Sequence, residues 1–453
     1  MSIDLIAFAR TVVGPGPDVA ATVQSTPRQV PQTVRTAGFA AIGIGVLSLL
    51  YGLLGGDADT HHRTLGVFLV CLVYFAGVSQ GGVMFAVAQT ITLGRWGRPF
   101  KRIAESFWSF QCVVYPLYWI FLVAGGLDIY PWMHHEQRNH HAIYLQPSFF
   151  VARQIVGTGI LFLLSSLFVR NSLRPDLGVA AEQLGAAAPA WWGRITLGWK
   201  GRAAEIEDAY QKNIRLAPIL VVSYAIIFTM FAVDAVMSLA PHWAANMFPA
   251  WIFVSSFWLS INWICIISVF SRKWLKIDHL LPGTRYLDLG KLMFALCVFW
   301  TYTLFAQILP IWYGNMPEET SYLLLRLFTE PWAGLAKVVG LLCFLFPFTV
   351  LLSRGIKKLP ESLVAVAIVI ATGVFLERFL LVMPEVWLKD SLPIGLVEIG
   401  VAIGFVGGFV TTVTTFLANV PAVPISDPFM NPNPGDVHVV PYGEQGHGHS
   451  HAH

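Results

Sequence analysis

Ten stretches of mostly apolar residues follow one another along the chain, at 34–54, 65–93, 104–124, 148–170, 216–240, 246–271, 288–312, 333–353, 361–382 and 393–418. About 20 such residues at 1.5 Å each reach across the hydrocarbon of a bilayer, so each stretch predicts a spanning helix. The 65–93 stretch is longer than a crossing needs and predicts a tilted helix or one that reaches past the lipid. Residues 1–33 contain four Pro and no charged-then-apolar leader pattern, which predicts an irregular arm. The longest connection is 171–215. Its Trp191, Trp192, Ile195, Leu197 and Trp199 suit a segment lying on the membrane surface. The 419–453 tail is Pro-rich and polar from Pro421 and predicts an extended or disordered end closing on His447, His449, His451 and His453. The domain reading is an arm at 1–33, a ten-helix membrane domain at 34–418 and a tail at 419–453.

Composition agrees with this pattern. Of 453 residues, 55% are hydrophobic and 12% charged, about half the charged share of a soluble domain. The net charge of +3 is too small to imply a nucleic-acid partner. The expected class is an all-α polytopic membrane protein in contact with lipid. Basic residues set its orientation. The arm, the 94–103, 171–215 and 272–285 connections and the 354–358 turn, with the span ends beside them, hold 21 Lys and Arg, whereas the alternate side holds 4: Arg63, Arg138, Arg326 and Lys389. Both termini are therefore expected in the cytoplasm. Arg153, Lys291, Lys337 and Arg378 fall within spans.

Cofactor signals are missing. Cys71, Cys112, Cys265, Cys297 and Cys343 lie apart in apolar stretches, with no Cys-x-x-Cys pair. None of the thirteen His lies mid-span, as a bis-His haem would require. No cofactor is expected in this chain, so a role in electron transfer would have to be handling protons or quinone beside a partner that holds the metals.

Ionisable groups in a span are costly and point to function. Asp234, Gln307, the Glu377–Arg378 pair and Glu398 sit in the fifth, seventh, ninth and tenth spans, within roughly 10 Å of the outer boundary. Asp234 has no basic residue within a turn on its own helix. Spacing of four would align Asp234, Ser238 and His242 on one face, a candidate proton exit. Asp288 and Lys291 open the seventh span from inside and could mark a cytoplasmic mouth. The inner half is otherwise neutral, with Gln80, Gln89, Gln111 and Asn262. A structural role for each of these groups remains the competing reading.

Three segments carry a resemblance. The first is Asp234-Ala-Val-Met237-Ser238-Leu239-Ala-Pro241-His242-Trp243. The second contains Asp288-Leu-Gly-Lys291, then Phe299-Trp300-Thr-Tyr302, then Gln307 and Trp312-Tyr313-Gly-Asn315-Met-Pro317-Glu318-Glu319-Thr320. The third is Glu377-Arg378-Phe379. Together they resemble the ActF family, the smaller NrfD/PsrC-like membrane subunits of alternative complex III, closely over spans five to ten and by topology before that. The resemblance implies two four-helix bundles, spans two to five and six to nine, flanked by the first and last spans. It implies a quinol:cytochrome c or quinol:oxidase oxidoreductase in a bacterial inner membrane. The implied partners are a sister NrfD-like subunit, iron–sulfur and multihaem c-type cytochrome subunits on the outer face, and a terminal oxidase. Haem c and iron–sulfur clusters are then expected in those partners, with quinone as a further contact. Tyr302 joins the proton-path candidates, and Glu318–Glu319, on the outer connection, become a candidate docking edge. Ala235 and Ala240 stand where the family usually has an aromatic and often an acid. The alternatives are a proton-coupled secondary transporter and a purely structural scaffold. Transporters usually show broken spans in matching halves, and no convincing pair of Gly/Pro-interrupted spans occurs here.

Overall fold

The computed structural model describes residues 27–134, 143–427 and 429–430. Its architecture is that of an all-α polytopic membrane protein. Among the described residues, ten helices are long and apolar enough to cross a bilayer: α1 Gln32–Gly55, α2 Ala58–Ile91, α3 Arg98–Val123, α4 Pro147–Ala187, α5 Ala204–Leu239, α6 Phe248–Ser271, α7 Gly283–Gly314, α8 Trp332–Leu351, α9 Pro360–Val386 and α10 Leu396–Asn419. They alternate in direction. Residues 27–31 and 421–430 therefore lie on one face, here the terminal face, and the α1–α2, α5–α6 and α9–α10 turns lie on the opposite face.

Packing divides the ten into two bundles and a flanking pair. Helices α2 to α5 pack around one another, as do α6 to α9, and α2 lies against both α6 and α9 where the bundles meet. This position explains the sequence of α2, which is buried on every side from Thr64 to Val87 and apolar all round rather than striped. Gly81 allows the close approach of α6, because a Cβ there would overlap the Ser260 hydroxyl. That hydroxyl bonds the Gly77 and Val78 carbonyls at 3.2 and 3.1 Å. Helices α1 and α10 touch backbone to backbone at Gly45 and Gly404, where any side chain would collide. Most of α1 faces outward, as a helix against lipid would.

Helix ends follow local chemistry. Asp57 caps α2, accepting from the Thr60 amide at 3.0 Å. Asn315 closes α7 at a left-handed φ of 47°, a conformation Asn tolerates. Pro317 then opens the helix Pro317–Leu327, with Glu318 and Glu319 in its first turn, where the dipole favours acids. The Trp312-Tyr313-Gly-Asn315-Met-Pro317-Glu318-Glu319 run is thus a helix stop followed by a helix start, and the α7–α8 connection is helical rather than a loop.

Three boundaries differ from the sequence reading. The 171–215 connection is mostly helix. Helix runs continuously to Leu184 and resumes at Arg202, so only the middle forms a turn. Polar residues hid these extensions from an apolar-run reading, yet they are held by Arg174, which bonds Glu205 at 2.7 Å. Trp191 and Leu197 are exposed there, but Trp192 is buried and donates to the Asn419 carbonyl at 3.2 Å. The start of the tail is not loose either: Ala422, Val423, Ile425 and Phe429 are buried beneath the bundle. Of the N-terminal arm, only 27–31 is described. His447, His449, His451 and His453 lie outside the described residues.

Candidate functional site

The polar groups read from the sequence do not form one cluster. They occupy three places, and each is built mainly from partners that the span pattern did not single out.

The first is in the α2–α5 bundle. Asp234 is fully buried near the opposite face. Its missing partner comes from the neighbouring helix: Arg153 on α4 clamps both carboxylate oxygens, Nε to Oδ2 at 2.9 Å and Nη2 to Oδ1 at 3.0 Å. Tyr144 donates its hydroxyl to Oδ1 at 2.9 Å, and Gln154 donates to Oδ2. Tyr118 on α3 extends the set by donating to Gln154 Oε1 at 3.0 Å. Burial, then the Asp234 charge, push the Tyr144 hydroxyl up to about 12, which keeps it a donor at neutral pH. The sequence places Arg153 within the fourth span, five residues from its start, but offers no sign there that it joins Asp234.

The 234–238–242 ladder does not form. The regular helix ends at Ala235, and a single 3-10 turn follows over Met237–Leu239. Spacing of four therefore no longer keeps one face. Ser238 bonds the Asp234 carbonyl oxygen, not its carboxylate, at 2.5 Å, and His242 is exposed.

Another polar series crosses the same bundle. Toward the middle, Gln80 Oε1 on α2 accepts from Gln111 Nε2 at 3.1 Å and from the Tyr115 hydroxyl at 2.9 Å, while its amide donates to Ser165 at 3.2 Å. Toward the terminal face, Arg102 on α3 pairs with Glu105 at 2.6 Å and with Asp176 on α4, all fully buried. One side of α3 thus carries Lys101, Arg102, Glu105, Gln111, Tyr115 and Tyr118 over about 25 Å. From Arg102 onward, successive groups lie about one or two turns apart.

Beneath this end sits the chain's last described segment. Asp427 accepts from Arg98 at 2.7 Å and from Lys101 at 2.8 Å. The Ser426 amide bonds Asp176 at 2.8 Å, and the Arg98 guanidinium lies 5.2 Å from the centre of the Phe429 ring. Burial alone would raise the Asp427 carboxyl, but the Arg98 and Lys101 charges outweigh it and hold the group well below the usual carboxylate range.

The second place is in the α6–α9 bundle. Glu377 accepts from the Trp300 indole at 2.9 Å and pairs with Arg378, whose Nη2 reaches Ser255 at 2.6 Å and Ser256 at 3.3 Å. Glu377 also borders a cavity of about 110 Å3, together with Gln307, Trp243, Trp251, Trp300, Tyr322 and Arg326. Trp243 stacks on Tyr322 at 3.7 Å, and Arg326 holds Glu385 at 3.0 Å. All three segments that carry the resemblance meet here, through Trp243, through Trp300 and Gln307, and through Glu377.

The third place is at the edge of the α1–α10 pair. Glu398 pairs with Arg63 at 3.1 Å and accepts from the Gly395 amide at 2.9 Å, a capping bond. It borders a groove of about 790 Å3 along α1, α9 and α10. The polar side chains lining that groove already have partners: Tyr74 donates to the Ala371 carbonyl at 3.0 Å and Thr372 to that of Ile368 at 2.9 Å. The groove therefore suits hydrocarbon rather than a hydrogen-bonding ligand.

The remaining candidates stand apart. Tyr302 points outward, 60% exposed. Asp288 and Lys291 form an exposed pair at 2.8 Å. Glu318 is exposed and Glu319 half-buried. Among the described residues, no group of three or more His, Cys, Asp or Glu is placed to hold a metal ion. Compared with known proteins, the chain matches no family model and no curated protein.

Proposed function

We propose that this chain is an integral membrane subunit of a bacterial respiratory quinol oxidoreductase of the alternative complex III type, and that its own contribution is to move protons through the α2–α5 bundle. The observation that carries this reading is the buried polar series from Glu105 and Asp176, past Gln80, Gln111 and Tyr115, to Tyr118, Gln154 and Asp234. Carboxylates at its two ends can exchange protons, and the phenols and amides between them form separate hydrogen-bonded groups, Gln80–Gln111–Tyr115 and Tyr118–Gln154–Asp234. In this reading the terminal face is cytoplasmic, as the 21-to-4 charge split favours. The resemblance supplies the rest: redox centres lie in partner subunits at the opposite face, where Glu318 and Glu319 offer an acidic docking edge. The convergence of the resembling segments around one cavity supports it further.

Gentle solubilisation should bring down c-type haem and iron with the chain; purification of the chain alone, free of both, would sink the assignment. Asp234→Asn preserves size and the bonds accepted by one oxygen, loses those accepted by the other, and cannot ionise. In an assembled complex it should slow turnover or abolish proton release. Wild-type turnover and proton stoichiometry in that variant would leave Asp234 a purely structural tie between α4 and α5.

A further inference from the structure

A second groove, of about 730 Å3, runs between α3, α4 and α10 and reaches the turn that joins α4 to α5 at the terminal face. Its polar groups change character along its length. At the deep end they are spent inside the protein: the Trp108 indole donates to Ser166 at 2.9 Å, Ser166 to the Phe162 carbonyl at 2.6 Å, Ser109 to that of Ser106 at 2.7 Å and Thr412 to that of Gly408 at 3.0 Å. The Thr411 hydroxyl lies against Gly38 of α1 and does not open into the groove. Nearer the terminal face stands Arg170, the one charged side chain among the described lining residues. It is exposed, and among the described residues it has no ion pair or hydrogen bond to its guanidinium. Arg194, next to the lining residue Ile195, is likewise exposed and unpaired. Arg170 is also the last residue of the fourth apolar stretch, so it stands where hydrocarbon gives way to headgroups. Trp191 on the same wall is 38% exposed, in keeping with the enrichment of indoles at that level.

We propose that this groove binds an anionic phospholipid from the leaflet at the terminal face, with its phosphate on Arg170 and an acyl chain along the deep wall. The deep wall has no free hydrogen-bonding group for hydrocarbon to leave unmet. The unpaired guanidinium matches a phosphate by charge and by its forked donors, and Arg194 adds a second positive charge nearby. Basic pockets between spanning helices take acidic headgroups in this way. The rim is already built: Arg174 donates to the Ile195 carbonyl at 2.9 Å and Trp192 to the Asn419 carbonyl at 3.2 Å, which ties the turn to α4 and to the end of α10. The groove along α1 and α9 is the contrast within the same molecule. Its charged lining residue, Glu398, is already paired with Arg63, so it should take hydrocarbon without regard to headgroup. An apolar helix of a partner subunit laid into the Arg170 groove would leave that cation unmatched. The inference rests on the membrane fold and not on the proposed redox role or proton path.

Photolabelling of the intact complex in phosphatidylcholine vesicles tests the proposal. A minor share of the lipid carries a diazirine on one acyl chain, either as phosphatidylglycerol or as phosphatidylcholine. Residues 162–173 and 411–420 should be labelled several-fold more by the phosphatidylglycerol probe, whereas 394–403, along the other groove, should be labelled equally by both. Arg170→Gln, at an exposed position, should bring the first groove to equal labelling by the two probes. Equal labelling of that groove in the wild type overturns the proposal. So does protection from both probes, which would mean that a partner subunit covers it. A preference that persists in Arg170→Gln also overturns it, and so does one abolished by inorganic phosphate, which would assign the cation to a soluble anion instead. The wild-type comparison stands on its own should the variant fail to assemble.

Discussion

The two bundles hold their buried acids in different ways, one by an arginine from the next helix and the other by the neighbouring residue. In α2–α5, Asp234 is held by Arg153, Tyr144 and Gln154, and Gln80 binds Gln111, Tyr115 and Ser165. In α6–α9, Glu377 and Arg378 are paired, but the residues one turn nearer the opposite face leave indoles, a phenol and an amide oxygen unspent around open space. In a low-dielectric interior a satisfied network stiffens its surroundings, whereas an unsatisfied one needs solvent or ligand. Buried atoms without a protein partner nonetheless occur in both bundles, at Gln111, Asn213 and Tyr224 in the first as at Trp251, Gln307 and Tyr322 in the second.

Breaking the first bundle's clamp should do the most damage. Arg153→Leu strands the Asp234 carboxylate, which should cost about 3–5 kcal/mol. The assembled complex should fall sharply in thermal size-exclusion assays, and Asp234→Leu in the same chain should recover part of the loss. Next comes the segment under the first bundle. Asp427→Asn weakens two charged hydrogen bonds, and each such bond is worth about 1.5–3 kcal/mol. Its carboxyl is held below the ordinary carboxylate value, so its stabilisation is complete above about pH 4 and is lost only as pH falls through the lower folded value. Limited proteolysis at 421–430 should therefore be as slow at pH 5 as at pH 7 in the wild type, and faster at both in the variant. A matched pair then sharpens the contrast between bundles. Gln80→Leu orphans the Tyr115 hydroxyl, while Gln111 keeps its bond to the Ser79 carbonyl, and should cost about 1–3 kcal/mol, whereas Gln307→Leu removes no protein hydrogen bond from its orphan oxygen and should cost less than about 1 kcal/mol. Equal losses in the two variants would erase the distinction. The smallest effect belongs to the exposed pair: Asp288→Asn should change stability by about 0–1 kcal/mol.

The apolar pattern located all ten spanning helices because each must present hydrocarbon-compatible residues over the thickness of a bilayer. It could not locate the ends of α4 and α5. Past the lipid, polar residues such as Arg174 and Glu205 hold the helices together by pairing across them. It also singled out Asp234, Glu377 and Glu398 as costly groups, but not their partners. Arg153 looks like any basic residue near a span end until α4 is laid against α5. Trp243, Trp251 and Tyr322 look like core or interfacial aromatics, since nothing in their spacing tells a bonded indole nitrogen from a free one. The Asp234–Ser238–His242 alignment failed for a local reason: it assumed regular helix past Ala235, where the backbone tightens into a single turn before Pro241.

The segment under the first bundle also bears on how the chain is made. Asp427 lies 329 residues after Arg98, so Arg98 and Lys101 enter the membrane domain long before their counter-ion is synthesised. Until then the cations Arg98, Lys101 and Arg102 share only Glu105 and Asp176. A chain stopped after Val420 would hold all ten spans, yet the start of its third helix would remain electrically unfinished. The last charge partner of that helix is thus supplied by residues made after every span.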